Sequence, residues 1–168
     1  MADPRKITGS KAHAKCDDHP LPPAEAVAAC HAAGVLHDKM LRSMPTDEVH
    51  TVFAPKALAA SHVQAAMMST PLEALGLFSS VSAAFGNVGQ GNYAAANTFM
   101  DVLALARRAA GSTAQSLQLP AVRGLGMGAT NMSAMLTNDA ISPEEHNASL
   151  VALLFASAQG TVHAPLPR

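Results

Sequence analysis

The apolar run Leu75-Gly-Leu-Phe-Ser-Ser-Val81 stops in a loop rich in Gly and Asn, and Tyr93–Ala110 follows as a long Ala, Leu, Met and Arg segment. A short run apolar on both faces reads as a strand buried between two layers. A helix directly after it reads as a crossover, which returns the chain parallel to where it began. The pattern recurs on both sides. Ala26–His31 is a second short buried strand, ending at Ala32-Ala33-Gly34. From Thr46 to about Met68, Val49, Val52, Phe53, Leu58 and Val63 fall near one helical face, with Asp47 and Glu48 suiting the positive N-terminus and Pro55 introducing a kink. Gln115–Gln118 is a third strand, and Ser142-Pro-Glu-Glu145 is a capping box opening a helix over about 143–156.

The order predicts an α/β fold: βαβαβα on a parallel sheet, in which function gathers at the carboxyl ends of the strands. His31–Asp38, Ser79–Ser82 and Pro120–Met127 all lie at such ends. Residues 1–23 carry four prolines and no periodicity, so they read as a disordered or remnant segment; 24–157 is the folded unit and 158–168 a tail.

Composition narrows the function. Hydrophobic residues make up 49% and charged residues 14%, with a net charge of −1, so no basic stripe points to nucleic acid. No apolar run approaches the roughly 18 residues that span a bilayer. Ala24–Leu36 mimics a signal-peptide core, but prolines precede it and His31 interrupts it. Cys16 and Cys30 read as reduced thiols. The setting expected is the cytoplasm, or a plastid, rather than secretion. His13, Cys16 and His19 have metal-like spacing without a paired second half, so no metal is expected. The Gly86–Gly91 and Gly124–Gly128 loops mimic phosphate loops, yet neither precedes a strand with an acidic residue about twenty positions on.

The chemistry rests on four residues. Ser80 ends a strand; Tyr93 lies in the first turn of the following helix; Asn97 is one turn further on the same face; Lys56 sits at the Pro55 kink. Carbonyl reduction needs a proton donor at the oxygen that becomes an alkoxide. A tyrosine can donate, and a nearby ammonium is expected to lower its pKa from about 10. A serine hydroxyl can hold the carbonyl oxygen, and an asparagine can anchor a water. Ser79 and Ser82 lack this joint spacing and read as local hydrogen bonders.

The segment Phe78-Ser-Ser-Val-Ser-Ala-Ala-Phe-Gly-Asn-Val-Gly-Gln-Gly-Asn-Tyr-Ala-Ala-Ala-Asn-Thr-Phe-Met-Asp101 resembles the signature of ketoreductase domains in polyketide and fatty acid synthases, within the short-chain dehydrogenase/reductase superfamily. His31-Ala-Ala-Gly-Val-Leu-His-Asp38 and Ala54-Pro-Lys56 resemble two further motifs of that family. The resemblance implies a partial Rossmann-like doubly wound sheet, its C-terminal half, without the first three strands and their Gly-x-Gly-x-x-Gly turn. It implies Tyr93 as proton donor, Ser80 as carbonyl anchor, Lys56 as the residue that tunes Tyr93 and holds the nicotinamide ribose, and Asn97 as support for the relay. NADPH is the implied cofactor, its nicotinamide half lined by His31, Ala32, Ala33, Gly34, Pro120, Ala121 and Val122. The implied substrate is a β-ketoacyl thioester on an acyl carrier protein. Other synthase domains, or a front-half subdomain, are the implied partners. In this family an aspartate in a Leu-Asp-Asp motif accompanies one face of hydride delivery, and a Trp eight residues before the tyrosine accompanies the other. Here Leu36-His37-Asp38 keeps the second aspartate and Phe85 replaces the Trp, which implies the aspartate type and a D-configured 3-hydroxyl. The chain then reads as part of a longer synthase, as half of a split enzyme, or as a non-catalytic interaction module.

Overall fold

The computed structural model describes residues 28–70, 72–124, 140–155 and 162–163. The segment 1–23, most of the Gly124–Gly128 loop and most of 158–168 lie outside the described residues. The elements are β1 (Ala28–His31), α1 (Thr46–Phe53), α2 (Ala59–Ala66), β2 (Ala74–Ser80), α3 (Ser82–Phe85), α4 (Gly91–Ala109), β3 (Gln115–Leu119), α5 (Pro143–Phe155) and β4 (Val162–His163). The sheet runs β1-β2-β3-β4 and every pairing is parallel. Two residues give β4 no periodic signal, and the sequence does not predict it.

Helices cover both faces, and the period-2 alternation of side chains says which residues meet which layer. Leu75 and Leu77 of β2 are buried with Ala60 of α2 and with Met100 and Ala104 of α4. Phe78, one position beyond Leu77 and so on the opposite face, packs instead with Leu117, Ile141 and Leu150 on the α5 side. In β3 the same alternation turns Leu117 and Leu119 toward α5 and sends Ser116 and Gln118 to Asp101 on α4. This doubly wound arrangement is the one the sequence predicts.

The kink expected at Pro55 is a π-helical turn, Ala54–Leu58, joining α1 to α2. Proline lacks the N–H that an α-helical turn needs, and the wider turn accommodates it without breaking the helix. Its position sets Lys56 and Ala57 inward. The capping box forms in both directions. The Ser142 N–H donates to Glu145 Oε2 at 2.7 Å, and the Glu145 N–H donates to Ser142 Oγ at 3.2 Å.

Candidate active site

Ser80 is the last residue of β2, where the strand leaves the sheet for α3. Its Oγ accepts the Ser82 N–H at 3.2 Å, which fixes the hydroxyl at the strand end. Tyr93 stands in the first turn of α4, buried with Val52 and Ala96. Asn92 prepares that turn. Its Oδ1 accepts the Tyr93 N–H at 2.8 Å, and its Nδ2 donates to the His37 carbonyl at 3.0 Å. One side chain thus satisfies an orphan N–H of the helix start and ties α4 to the loop after β1.

Lys56 reaches the same place from the π-turn. Its Nζ donates to the Phe78 carbonyl at 3.1 Å and lies 5.1 Å from the centroid of the Tyr93 ring. The side chain runs against Gly34, where a Cβ would stand 2.7 Å from Lys56 Cε, so only glycine leaves the passage open. His31, buried at the end of β1, meets the Lys56 carbonyl at 3.1 Å through Nε2, which must carry the proton to donate. Burial pulls the Lys56 ammonium from its usual 10.5 down to about 8, and the Asp101 carboxylate partly opposes that fall.

The Tyr93 phenol departs from expectation. The sequence predicts an ammonium-lowered pKa, yet here it is raised. Burial disfavours the phenolate and outweighs the hydrogen bonding of Asn97 and Ser80, which lowers it; the Asp38 charge adds to the rise. Tyr93 is therefore held in its protonated form.

Asn97 is fully buried. Its Nδ2 donates to the Tyr93 carbonyl at 2.8 Å, whereas its Oδ1 meets no partner among the described residues. Such an atom costs about 1–3 kcal/mol unless a water or ligand satisfies it. Ser79 corrects the sequence reading. Its bond is not local: Oγ donates across the helix–sheet interface to the Asn97 carbonyl at 3.3 Å. Ser82 Oγ is buried without a partner among the described residues.

The remaining predicted residues share this end of the sheet. Ala32 and Ala33 are exposed just beyond β1, Pro120 is buried at the end of β3, and Val122 bridges to Ile141. Asp38 is exposed and accepts from Gln90 Nε2 at 3.0 Å. Its neighbours His37 and Lys39 pair instead with Glu48, at 3.8 and 2.9 Å. Lys39 N–H also donates to the Gly89 carbonyl at 2.7 Å, so the loop after β1 and the loop before α4 are one unit. The sequence alone assigns Gln90 and Asn92 no role. An asparagine in the first turn of a helix was the available signal for Asn92; the Gln90–Asp38 contact spans 52 positions and left none.

The nicotinamide half of a cofactor fits this donor set. Lys56 uses one of its three donors among the described residues, and an unpaired acceptor lies within one helical turn of Tyr93. Among the described residues no group of His, Cys, Asp and Glu could hold a metal, and no helix is long and apolar enough to cross a membrane.

The family profile of the KR domain matches residues 7–124. The spectinabilin polyketide synthase system protein NorA′ of Streptomyces orinoci is 48% identical over 99 residues, covering 59% of this chain and 3% of that protein. The 6-methylsalicylic acid synthase of Aspergillus niger is 34% identical over 146 residues, 82% of this chain and 8% of that one. Among solved structures, an A-type ketoreductase from a modular polyketide synthase superposes with a TM-score of 0.78 at 31% identity, covering 84% of this chain and 31% of that chain. The first ketoreductase of the tylosin synthase gives 0.71, at 31% identity and 32% of its length. The chain therefore spans a small part of these synthases and about a third of their solved ketoreductases.

Proposed function

Because the chain belongs to the KR domain family, the ketoreductases of polyketide synthases, we propose that it supplies the catalytic half of a domain that reduces a β-ketoacyl thioester, carried on an acyl carrier protein, to the 3-hydroxyacyl thioester. A nicotinamide cofactor, NADPH in this reading, supplies the hydride when bound. Ser80 holds the carbonyl oxygen at the end of β2. Tyr93 donates the proton to that oxygen as it gains charge. Lys56, with donors to spare, binds the cofactor's ribose and stabilises the phenolate left behind. Asn97 Oδ1 anchors the water through which Tyr93 is reprotonated. His31–Gly34 and Pro120–Val122 line the nicotinamide side, and Asp38, held by Gln90 at the mouth, limits how the substrate's arm enters and favours the D-configured product.

The observation that carries the reading is the convergence of Ser80, Tyr93, Lys56 and the orphaned Asn97 Oδ1 at one strand end. In a reconstituted domain carrying this sequence, Tyr93→Phe should reduce turnover by about 10²–10⁴, the range of general acid catalysis, with the circular dichroism spectrum unchanged. Unchanged turnover would refute the assignment. Chiral analysis of the product tests Asp38: an L-configured hydroxyl would remove it from stereocontrol.

A further inference from the structure

His31 is a buried polar residue on an apolar face. It closes β1, pairs in register with Leu77 and lies two positions beyond Ala29. Its side chain therefore takes the face on which Ala29, Leu75 and Leu77 pack under α2 and α4. An aliphatic residue would fill that face without desolvation. A buried imidazole needs a partner for its polar atoms, and Nε2 meets one in the Lys56 carbonyl, 3.1 Å away and 25 positions on in sequence. The π-helical turn leaves that carbonyl able to accept. The Ala59 N–H is shared between the Ala54 and Lys56 carbonyls, and a carbonyl has two lone pairs, so the Lys56 oxygen has room for a second donor. In the reductase assignment His31 is lining, and its imidazole has no task.

We propose that His31 is a positioning residue for the active site: its Nε2–H pins the backbone of the π-turn to the end of β1 and so aims the Lys56 side chain at Tyr93. The proposal rests on the assignment of Lys56 to the reductase site. Lys56 is then held along its whole length. Its carbonyl is tied to His31 of β1. Its side chain runs past Gly34, in the loop after β1, where no Cβ blocks the passage. Its ammonium donates to the Phe78 carbonyl of β2 and lies 5.1 Å from the centroid of the Tyr93 ring. Lysine has a flexible four-carbon stem, and a hydrogen bond at its tip alone leaves the backbone end of that stem free to shift with the turn. A tie at the carbonyl fixes where the stem starts. Side chains of a working site need such support from the residues behind them, because a small displacement at the base is carried to the tip. The polar residue on the core face of β1 then has a reason that packing does not supply.

The test uses NMR on the ligand-free 168-residue chain, in which Tyr93 is the only tyrosine and the other lysines are Lys6, Lys11, Lys15 and Lys39. The readout is the nuclear Overhauser effect between the Lys56 ε-methylene protons and the Tyr93 ring, together with the ring-current shift of those protons. Comparison with Lys56→Met identifies the signal. Wild type should show both effects. His31→Leu fills the same core space and removes the donor; the cross-peak should be lost and the shift should collapse toward that of a free lysine. His31→Gln places an amide N–H where Nε2 stood and should restore both. A merely structural role would lower the melting temperature without moving these signals. Unchanged signals in His31→Leu overturn the proposal. A loss that His31→Gln does not restore overturns it equally and leaves the imidazole as core filling. If His31→Leu does not fold, the wild-type ring decides: its ¹⁵N shifts should show a protonated Nε2, and an Nε2 without a proton cannot donate and overturns the proposal. No cofactor or substrate enters this measurement, so its failure is separable from failure of the reductase assignment, which Tyr93→Phe tests.

Discussion

Lys56 is buried, with the Phe78 carbonyl at its head and the Tyr93 ring beside it, and this has a thermodynamic signature. Its pKa falls from 10.5 to about 8 on folding. Between those values the unfolded chain binds the extra proton, so stability rises with pH across that window. Below about 8 both states are charged and the full burial penalty, of order 3 kcal/mol at most, is present. The stability gap between wild type and Lys56→Met, measured by urea unfolding, should therefore shift in favour of wild type as pH rises from 8 to 10.5. A gap that is flat in pH would mean that the ammonium is better solvated than its burial indicates. Gly34→Ala meets the same side chain. A Cβ 2.7 Å from Lys56 Cε must displace it, at roughly 1–3 kcal/mol, as in other overpacked sites, and equilibrium unfolding reads that loss directly. Ser80, Tyr93, Asn97 and Lys56 were legible in the sequence because strand-end and helix-turn spacings are local geometry. The Tyr93 protonation state was not, since it depends on burial, and neither were the bonds from Ser116 and Gln118 to Asp101, which need the register of α4 on β3.

At the scale of elements, the sequence carried start signals well and short or irregular pieces poorly. The capping box at Ser142 is a pattern four residues long, and both of its bonds form. Ser142→Ala should cost about 1 kcal/mol, and pairing it with Glu145→Ala should cost less than the sum of the single changes, because each change breaks bonds the other shares. Thermal melts of the three variants check this; strict additivity would mean that the two bonds act independently. Pro55 signalled a kink, but not that the turn would widen into a π-helical segment and carry Lys56 inward. The polar residues of β3 were readable as letters and not as a face. Gln115-Ser-Leu-Gln-Leu119 is buried at four of its five positions, and only the helix opposite explains why polar side chains belong there.

At the scale of the whole molecule, the described residues gather Ser80, Tyr93 and Lys56, the groups proposed to meet a nicotinamide and a carbonyl, at one end of the sheet. The sequence contains no Gly-x-Gly-x-x-Gly turn, and a dinucleotide draws much of its hold from the pyrophosphate at such a helix start. The isolated chain is expected to bind NADPH more weakly than micromolar; a calorimetric titration showing micromolar affinity would mean that the nicotinamide side suffices. The same architecture governs association. β1 pairs with β2 along one edge, and among the described residues no strand pairs with the other. Ala28 and Cys30 of β1 are exposed, so the strand combines a free row of backbone donors and acceptors with small side chains that do not hinder approach. An unpaired edge without a lysine or a bulge is a template for a second strand. The chain should accordingly dimerise with rising concentration through β1, seen by light scattering as a mass increasing toward twice 17.2 kDa. Ala28→Lys puts a charge on that edge, where like charges from two copies would face each other at low dielectric. It should suppress dimerisation while leaving the β1–β2 pairing, and hence the melting temperature, nearly unchanged. A wild-type chain that stays monomeric over the whole concentration range, or a dimer indifferent to Ala28→Lys, would show that this edge is not the contact.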